Sequence, residues 1–135
     1  MYLVLSAVTV GLGVWIWQLA GRGSNGLAVS VKVPELSATA IAGKEAFDAN
    51  CAACHGAHAA GTDQGPPLVH VIYNAGHHAD ETFFLAAKIG VRRHHWRYGD
   101  MPPQPQVTTE QVAAIVDYVR ELQAANGIPY RPHRR

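Results

Sequence analysis

A chain of 135 residues has room for one domain of ordinary size. Its formal net charge of +1 supplies no global field of the kind that gathers nucleic acid or steers a charged substrate. It has 2 cysteines, no internal repeat and no low-complexity run, which excludes a disulfide-rich scaffold and a repeat array.

The first segment differs from the rest. From Tyr2 to Ala20 there is no charged residue, and at ~1.5 Å per residue this run makes roughly 28 Å of helix, the thickness of bilayer hydrocarbon. Trp15 and Trp17 stand near one end and Arg22 comes next, where interfacial anchors are expected. The reading is a transmembrane anchor over residues 1–21. A cleavable signal peptide is the competing reading, but the apolar run is long, no basic side chain precedes it, and Gln18-Leu19-Ala20 is a poor cleavage site. Residues 22–37, with Gly21 just ahead, then Gly23, Ser24, Asn25, Gly26 and Pro34, read as a flexible linker. Its root-mean-square reach is ~20–24 Å, which keeps the rest of the chain close to the membrane.

The domain is read over residues 38–127, with a basic tail at 128–135. A helix is expected over Ala42 to Asn50, with Gly43 and Phe47 on its inner stripe. It runs into Cys51-Ala-Ala-Cys54-His55, two thiols three positions apart followed at once by an imidazole. That string reads as a covalent haem attachment site, with both sulfurs forming thioethers and His55 lying beside the iron. A zinc site needs further Cys or His at set spacing, and a thioredoxin-like pair needs a βαβ setting; this chain offers neither. Gly61, Gly65 and Pro66-Pro67 make Gly56 to Pro67 a loop. A short helix runs from Asp80, the expected N-cap, to Ile89, ended by Gly90. Gly99 to Pro105 is a second loop. The last helix carries a capping box at Thr108 and Gln111, and Val112, Ile115, Val116, Val119 and Leu122 at helical spacing; Asn126-Gly127 closes it. No stretch alternates as a strand.

Gly43 and Phe47, Cys-Ala-Ala-Cys-His, Gly65-Pro66-Pro67-Leu68, Gly99-Asp100-Met101-Pro102 and Tyr118 succeed one another in an order that resembles the class I cytochromes c, over about residues 40 to 126. The resemblance implies an all-α fold of three to four short helices around one haem c, attached through Cys51 and Cys54. It implies His55 as proximal ligand, Met101 as distal ligand, the Pro66 carbonyl on the other nitrogen of His55, and Leu68 packed on the haem. It also implies that Gly43, Phe47 and Tyr118 form a crossing of the first and last helices. Met101 has support of its own: it sits in a loop between Gly99 and two prolines and not on an apolar helix face, where a gap-filling Met would stand. A thioether favours ferrous iron, and with both axial positions filled the chemistry left is one-electron transfer.

His70, His77, His78, His94 and His95 surround the middle helix, and the last two fall in the run Val91 to Tyr98 with Arg92, Arg93, Trp96 and Arg97. Three readings stand. The run is a polar surface with Trp96 and Tyr98 near the haem edge; or a docking patch for an acidic or membrane-bound partner; or the histidines bind a second metal, copper or zinc. Against the last, adjacent pairs would point apart on a helix, and no carboxylate or thiol completes a site. A nucleic-acid role has no support from so short a patch. His58 and His133 are expected to face solvent.

The expected function is transfer of single electrons between membrane-bound respiratory or photosynthetic complexes, with no catalytic residue. The alternatives are a haem enzyme with a displaceable Met101, or a copper-linked redox module. Arg22 and Lys32 after the span weakly favour a cytoplasmic domain by the positive-inside rule. The resemblance implies the opposite, because such haem is attached on the periplasmic face of the bacterial inner membrane, and that placement is the one expected.

Overall fold

The computed structural model describes residues 28–132. The expected transmembrane anchor, the first part of the linker and the end of the tail with His133 lie outside those residues. Among the described residues no helix is long and apolar enough to cross a membrane.

Helix α1 spans Ala38–Asn50, four residues earlier than the sequence pattern begins. The reason is its cap: the Ser37 hydroxyl accepts from the amide of Ala40 at 3.2 Å while donating to Glu121 at 2.6 Å. The face it buries is Ala40, Gly43, Ala46 and Phe47. A four-residue helix α2, Ala52–His55, continues almost at once with the amide of His55 bonded to the Cys51 carbonyl at 2.9 Å. Helix α3 is Asp80–Ile89, as expected, but its N-cap is Ala79 and not Asp80; Asp80 occupies the first turn instead. Helix α4, Thr109–Ala125, starts with the expected capping box of Thr108 and Gln111, both halves formed. Among the described residues there is no strand, only an isolated antiparallel bridge between Val91 and Met101.

The core lies where α1 crosses α4. Phe47, Tyr118, Val119 and Leu122 are fully buried there. Phe47 meets Tyr118 edge to face at 5.7 Å, an arrangement worth about 1 kcal/mol beyond burial. The crossing is close because of Gly43: a Cβ there would stand 1.9 Å from the Ala114 carbonyl oxygen, so only hydrogen fits.

Two segments read as linker and tail pack on this core. Val29, Val31 and Leu36 lie against it, and the Val29 amide donates to the Ala60 carbonyl at 2.8 Å. Lys32 and Asn126 exchange two hydrogen bonds, at 2.8 and 2.7 Å. At the other end, Ile128 packs on the core and the Arg131 amide donates to Asn74 Oδ1 at 3.2 Å. His58 also departs from expectation. It is half-buried with its Nδ1 3.2 Å from the Tyr118 hydroxyl, because the 3-10 turn Ala57–Ala59 folds it back onto α4.

Candidate functional site

One cavity of about 690 Å³ opens beside the helix crossing, well inside the range that cofactor sites occupy. Its floor comes from the core: Phe47 of α1, Val112 and Ile115 of α4, and Phe83 of α3. Its first wall comes from the Cys51–Leu68 stretch. Cys51, His55, Pro66 and Leu68 all line it. His55 Nδ1 lies 2.9 Å from the Pro66 carbonyl oxygen. A carbonyl only accepts, so Nδ1 carries the proton and Nε2 keeps its lone pair. Burial, partly offset by that bond, holds the His55 pKa below the ordinary imidazole range. The ring is thus oriented, neutral and equipped with one nitrogen suited to a metal.

Neither cysteine is in a disulfide. Cys51 is half-buried on the wall, and burial, with Cys54 adding to it, pushes its pKa up to about 11. Cys54 is exposed and is not among the cavity residues; of the expected site it alone stands outside the lining.

The second wall belongs to two loops. Met101, Trp96, Tyr98 and Val91 line it, with Tyr73 from the segment before α3. Met101 is held by its backbone, which exchanges hydrogen bonds with Val91 at 2.9 and 3.0 Å. Gly90 makes the pairing possible: its φ is +77°, and a Cβ would stand 2.4 Å from the Met101 carbonyl oxygen. Trp96 Nε1 donates to the Tyr73 hydroxyl at 3.0 Å, which fixes the indole against the opening. Tyr73, mainly by burial, has its pKa raised.

The residues present fit a haem. His55 and Met101 line the same cavity, one from each wall, and the rest of its lining is largely apolar. The Tyr98 hydroxyl is buried with no hydrogen-bond partner, and Arg92 and Arg93 stand with it among the lining residues; these are groups suited to the carboxylate edge of a porphyrin. Fold and site together define a c-type haem protein, in which the cofactor is tied to the chain by cysteine sulfur. A family model for cytochrome c matches residues 40–123, and the chain belongs to that family, whose haem c is covalently attached. Cys51 and Cys54 stand at the attachment spacing. No curated protein and no solved structure matches the chain.

Sequence reasoning missed how the second wall is supported. Arg120 on α4 donates to the carbonyls of Tyr73 and His78, both at 2.6 Å, to Gln123 at 2.7 Å and to Asp80 at 2.8 Å. Gln123, 2% exposed, donates to the carbonyls of Leu68 and Tyr73 at 2.9 and 3.0 Å. Both residues fall on a helix whose apolar spacing was the visible signal; two polar residues beside that stripe gave no sign that they hold a loop 40 to 55 positions away.

The histidines are arranged otherwise than expected. His70 packs on Trp96 at 5.0 Å. His77, His78, His94 and His95 line the cavity mouth and converge, since neither pair lies on a helix.

Proposed function

We propose that the chain is a membrane-tethered mono-haem electron carrier. The observation that carries this reading is that an oriented imidazole, His55, and a thioether, Met101, line the same largely apolar cavity. The bound haem supplies a one-electron Fe(III)/Fe(II) couple. The chain's own residues do the rest. Cys51 and Cys54 hold the cofactor covalently, so it is not lost between partners. His55 Nε2 and Met101 Sδ would hold the iron, and Pro66 keeps the imidazole from turning. Leu68, Phe83, Val112 and Ile115 keep water from the interior side, which lowers the reorganisation that accompanies a change of charge. Electrons are exchanged at the mouth, where exposed Arg92 and Arg93 suit an acidic partner surface.

The tether is supported by the apolar run Tyr2 to Ala20. Docking of Val29 onto Ala60 shortens the reach that composition implies. Residues 22–28 alone separate an anchor ending at 21 from the docked segment, and even fully extended they cover only about 25 Å. Donor and acceptor are therefore complexes in the same membrane, with the haem domain on its periplasmic face, and the protein is a subunit or a carrier of short range.

Two measurements test this. The oxidised protein should show the sulfur-to-iron charge-transfer band, and the reduced protein should not bind carbon monoxide at neutral pH. Fast, tight carbon monoxide binding would replace the carrier with a haem enzyme whose Met101 leaves the iron. Recovery of the full chain in the soluble fraction of the cells that make it would remove the tether.

A further inference from the structure

The cavity mouth holds four imidazoles that electron transfer does not use. His77 and His78 sit in the turn before α3, and His94 and His95 in the loop between α3 and Met101. Their rings pack together, with centroids 4.7 Å apart for His77 and His78, 5.3 Å for His77 and His95, 5.3 Å for His78 and His95, and 4.3 Å for His94 and His95. Potential ligand atoms of His77, His78 and His95 all lie within 4.8 Å of one another. We infer that these three residues form a second metal site, for a divalent cation that prefers imidazole, Cu²⁺ or Zn²⁺, distinct from the haem iron.

The geometry supports it at three points. The Nε2 atoms of His77 and His95 are 3.3 Å apart. Two nitrogens at ~2.0–2.1 Å from one zinc with tetrahedral angles stand about 3.3 Å from each other, so this pair already spans one edge of the polyhedron. A simple N–H···N bond between the two rings would give the same spacing, but it would not draw in His78. The second point is the tautomer of His78. Its Nδ1 is 2.8 Å from the Ile72 carbonyl, so Nδ1 is protonated and Nε2 carries the lone pair. Metal-ligating histidines are commonly oriented in this way, by a backbone carbonyl on the far nitrogen. His94 repeats the pattern with the Arg92 carbonyl at 2.9 Å, which leaves a fourth imidazole beside the three.

The third point is that both supporting segments are tied down by hydrogen bonds. The His77 and His78 amides donate to the Asn74 carbonyl at 3.0 and 2.9 Å, and the His78 carbonyl accepts from Arg120. On the other side, the Arg93 amide donates to Asp100 Oδ1 at 3.0 Å, and Val91 pairs with Met101. The ligands are thus largely placed before a metal arrives, so little ordering cost remains for binding. The set is neutral, and Arg92 and Arg93 are close by in the chain; the +2 charge is uncompensated, and affinity rests on imidazole donation. That selects Cu²⁺ and Zn²⁺ over Mg²⁺ or Ca²⁺, which require oxygen ligands. Binding would fasten the Met101 loop to the turn before α3 across 18 residues of sequence, and would place a dication beside the haem cavity.

The test uses the ferric, haem-loaded full chain. One equivalent of Cu²⁺ should give a paramagnetic resonance spectrum with several coupled nitrogens, and Zn²⁺ should compete for the same site. Replacing two of three ligands in a His77→Ala/His95→Ala double variant should weaken Cu²⁺ at least 100-fold, with the haem spectrum intact. If that variant is not recovered folded, His77→Gln and His95→Gln singly should each weaken it at least 10-fold. Saturating Zn²⁺ should raise the haem midpoint of the parent protein, because a nearby positive charge favours the added electron, and should leave the variant unmoved. Unchanged Cu²⁺ affinity in the His77 and His95 variants overturns the site, as does a loss of affinity confined to His133→Ala. A midpoint indifferent to saturating Zn²⁺ overturns its placement beside the haem. Each of these outcomes leaves the His55/Met101 reading standing, whereas a missing sulfur-to-iron band would defeat that reading and not this one.

Discussion

The two walls of the cavity are built by different means. The His55 wall is local: thiols, imidazole and Pro66 fall between residues 51 and 66, and the bond that orients the ring spans 11 positions. The Met101 wall is assembled from afar. It rests on Arg120 and Gln123 reaching back 42 to 50 positions from α4 to Tyr73 and His78, and on a two-residue bridge through Gly90. The local wall carries the attachment motif, while the remote wall carries Met101 and the exposed Arg92 and Arg93. Chemistry that has to be fixed thus resides in a short stretch of chain, and chemistry open to tuning resides in loops.

The largest expected effect strikes the local wall. A Cys51→Ala/Cys54→Ala double variant should lose covalent haem altogether, read as absence of haem stain after denaturing electrophoresis; retained stain would break the assignment. Next is the support common to both walls. Gly43→Val drives side-chain atoms into the Ala114 carbonyl, and overpacking of this kind costs ~1–3 kcal/mol or more, measurable by denaturant unfolding. Arg120→Met separates the walls. Loss of charged hydrogen bonds worth ~1.5–3 kcal/mol each should speed hydrogen exchange over residues 70–79 while amides of the α1–α4 crossing stay protected. Equal loss at both places would show that the walls are not independent. Met101→Ala acts on the remote wall alone. The midpoint should drop by on the order of 0.1 V, part of the ~0.8 V that axial ligands span, with covalent haem retained.

The smallest effect concerns the crossing. Burial, with Asp48 adding to it, pushes the Tyr118 pKa up to about 12 from an ordinary value of 10.0. The folded state holds this proton more tightly than the unfolded chain does. Its contribution to stability is therefore complete below about pH 10 and fades as pH rises toward 12. Tyr118→Phe should flatten the fall in unfolding free energy across that window; an unchanged slope would leave Tyr118 without the role.

The contrast also explains what could be read in advance. Cys51 and His55, named from the attachment motif, and Pro66, Leu68 and Met101, named from the family resemblance, meet at one cavity, with Cys54 just outside its lining. The last helix was legible through its capping box and apolar spacing. Ser37 as the cap of α1 was not, since its partner Glu121 lies 84 positions away. The docked segment from Val29 read as linker because Gly21, Gly23, Ser24 and Gly26 just before it suggested freedom, while Val29, Val31 and Leu36 are too few to make a pattern. The histidines read as a cluster around the middle helix, but which of them meet depends on the turn held by Asn74 and Arg120, and distance between loops leaves no mark on spacing.

The seat of Gly43 against Ala114 has a consequence for how the molecule is made. Helix α1 and the attachment thiols leave the ribosome first, yet α1 has nothing to lean on until α4, some seventy positions later, has also been synthesised. Until then Cys51 and Cys54 follow a helix whose buried face has no partner. Packing of the final helix then closes the core beside the attachment site.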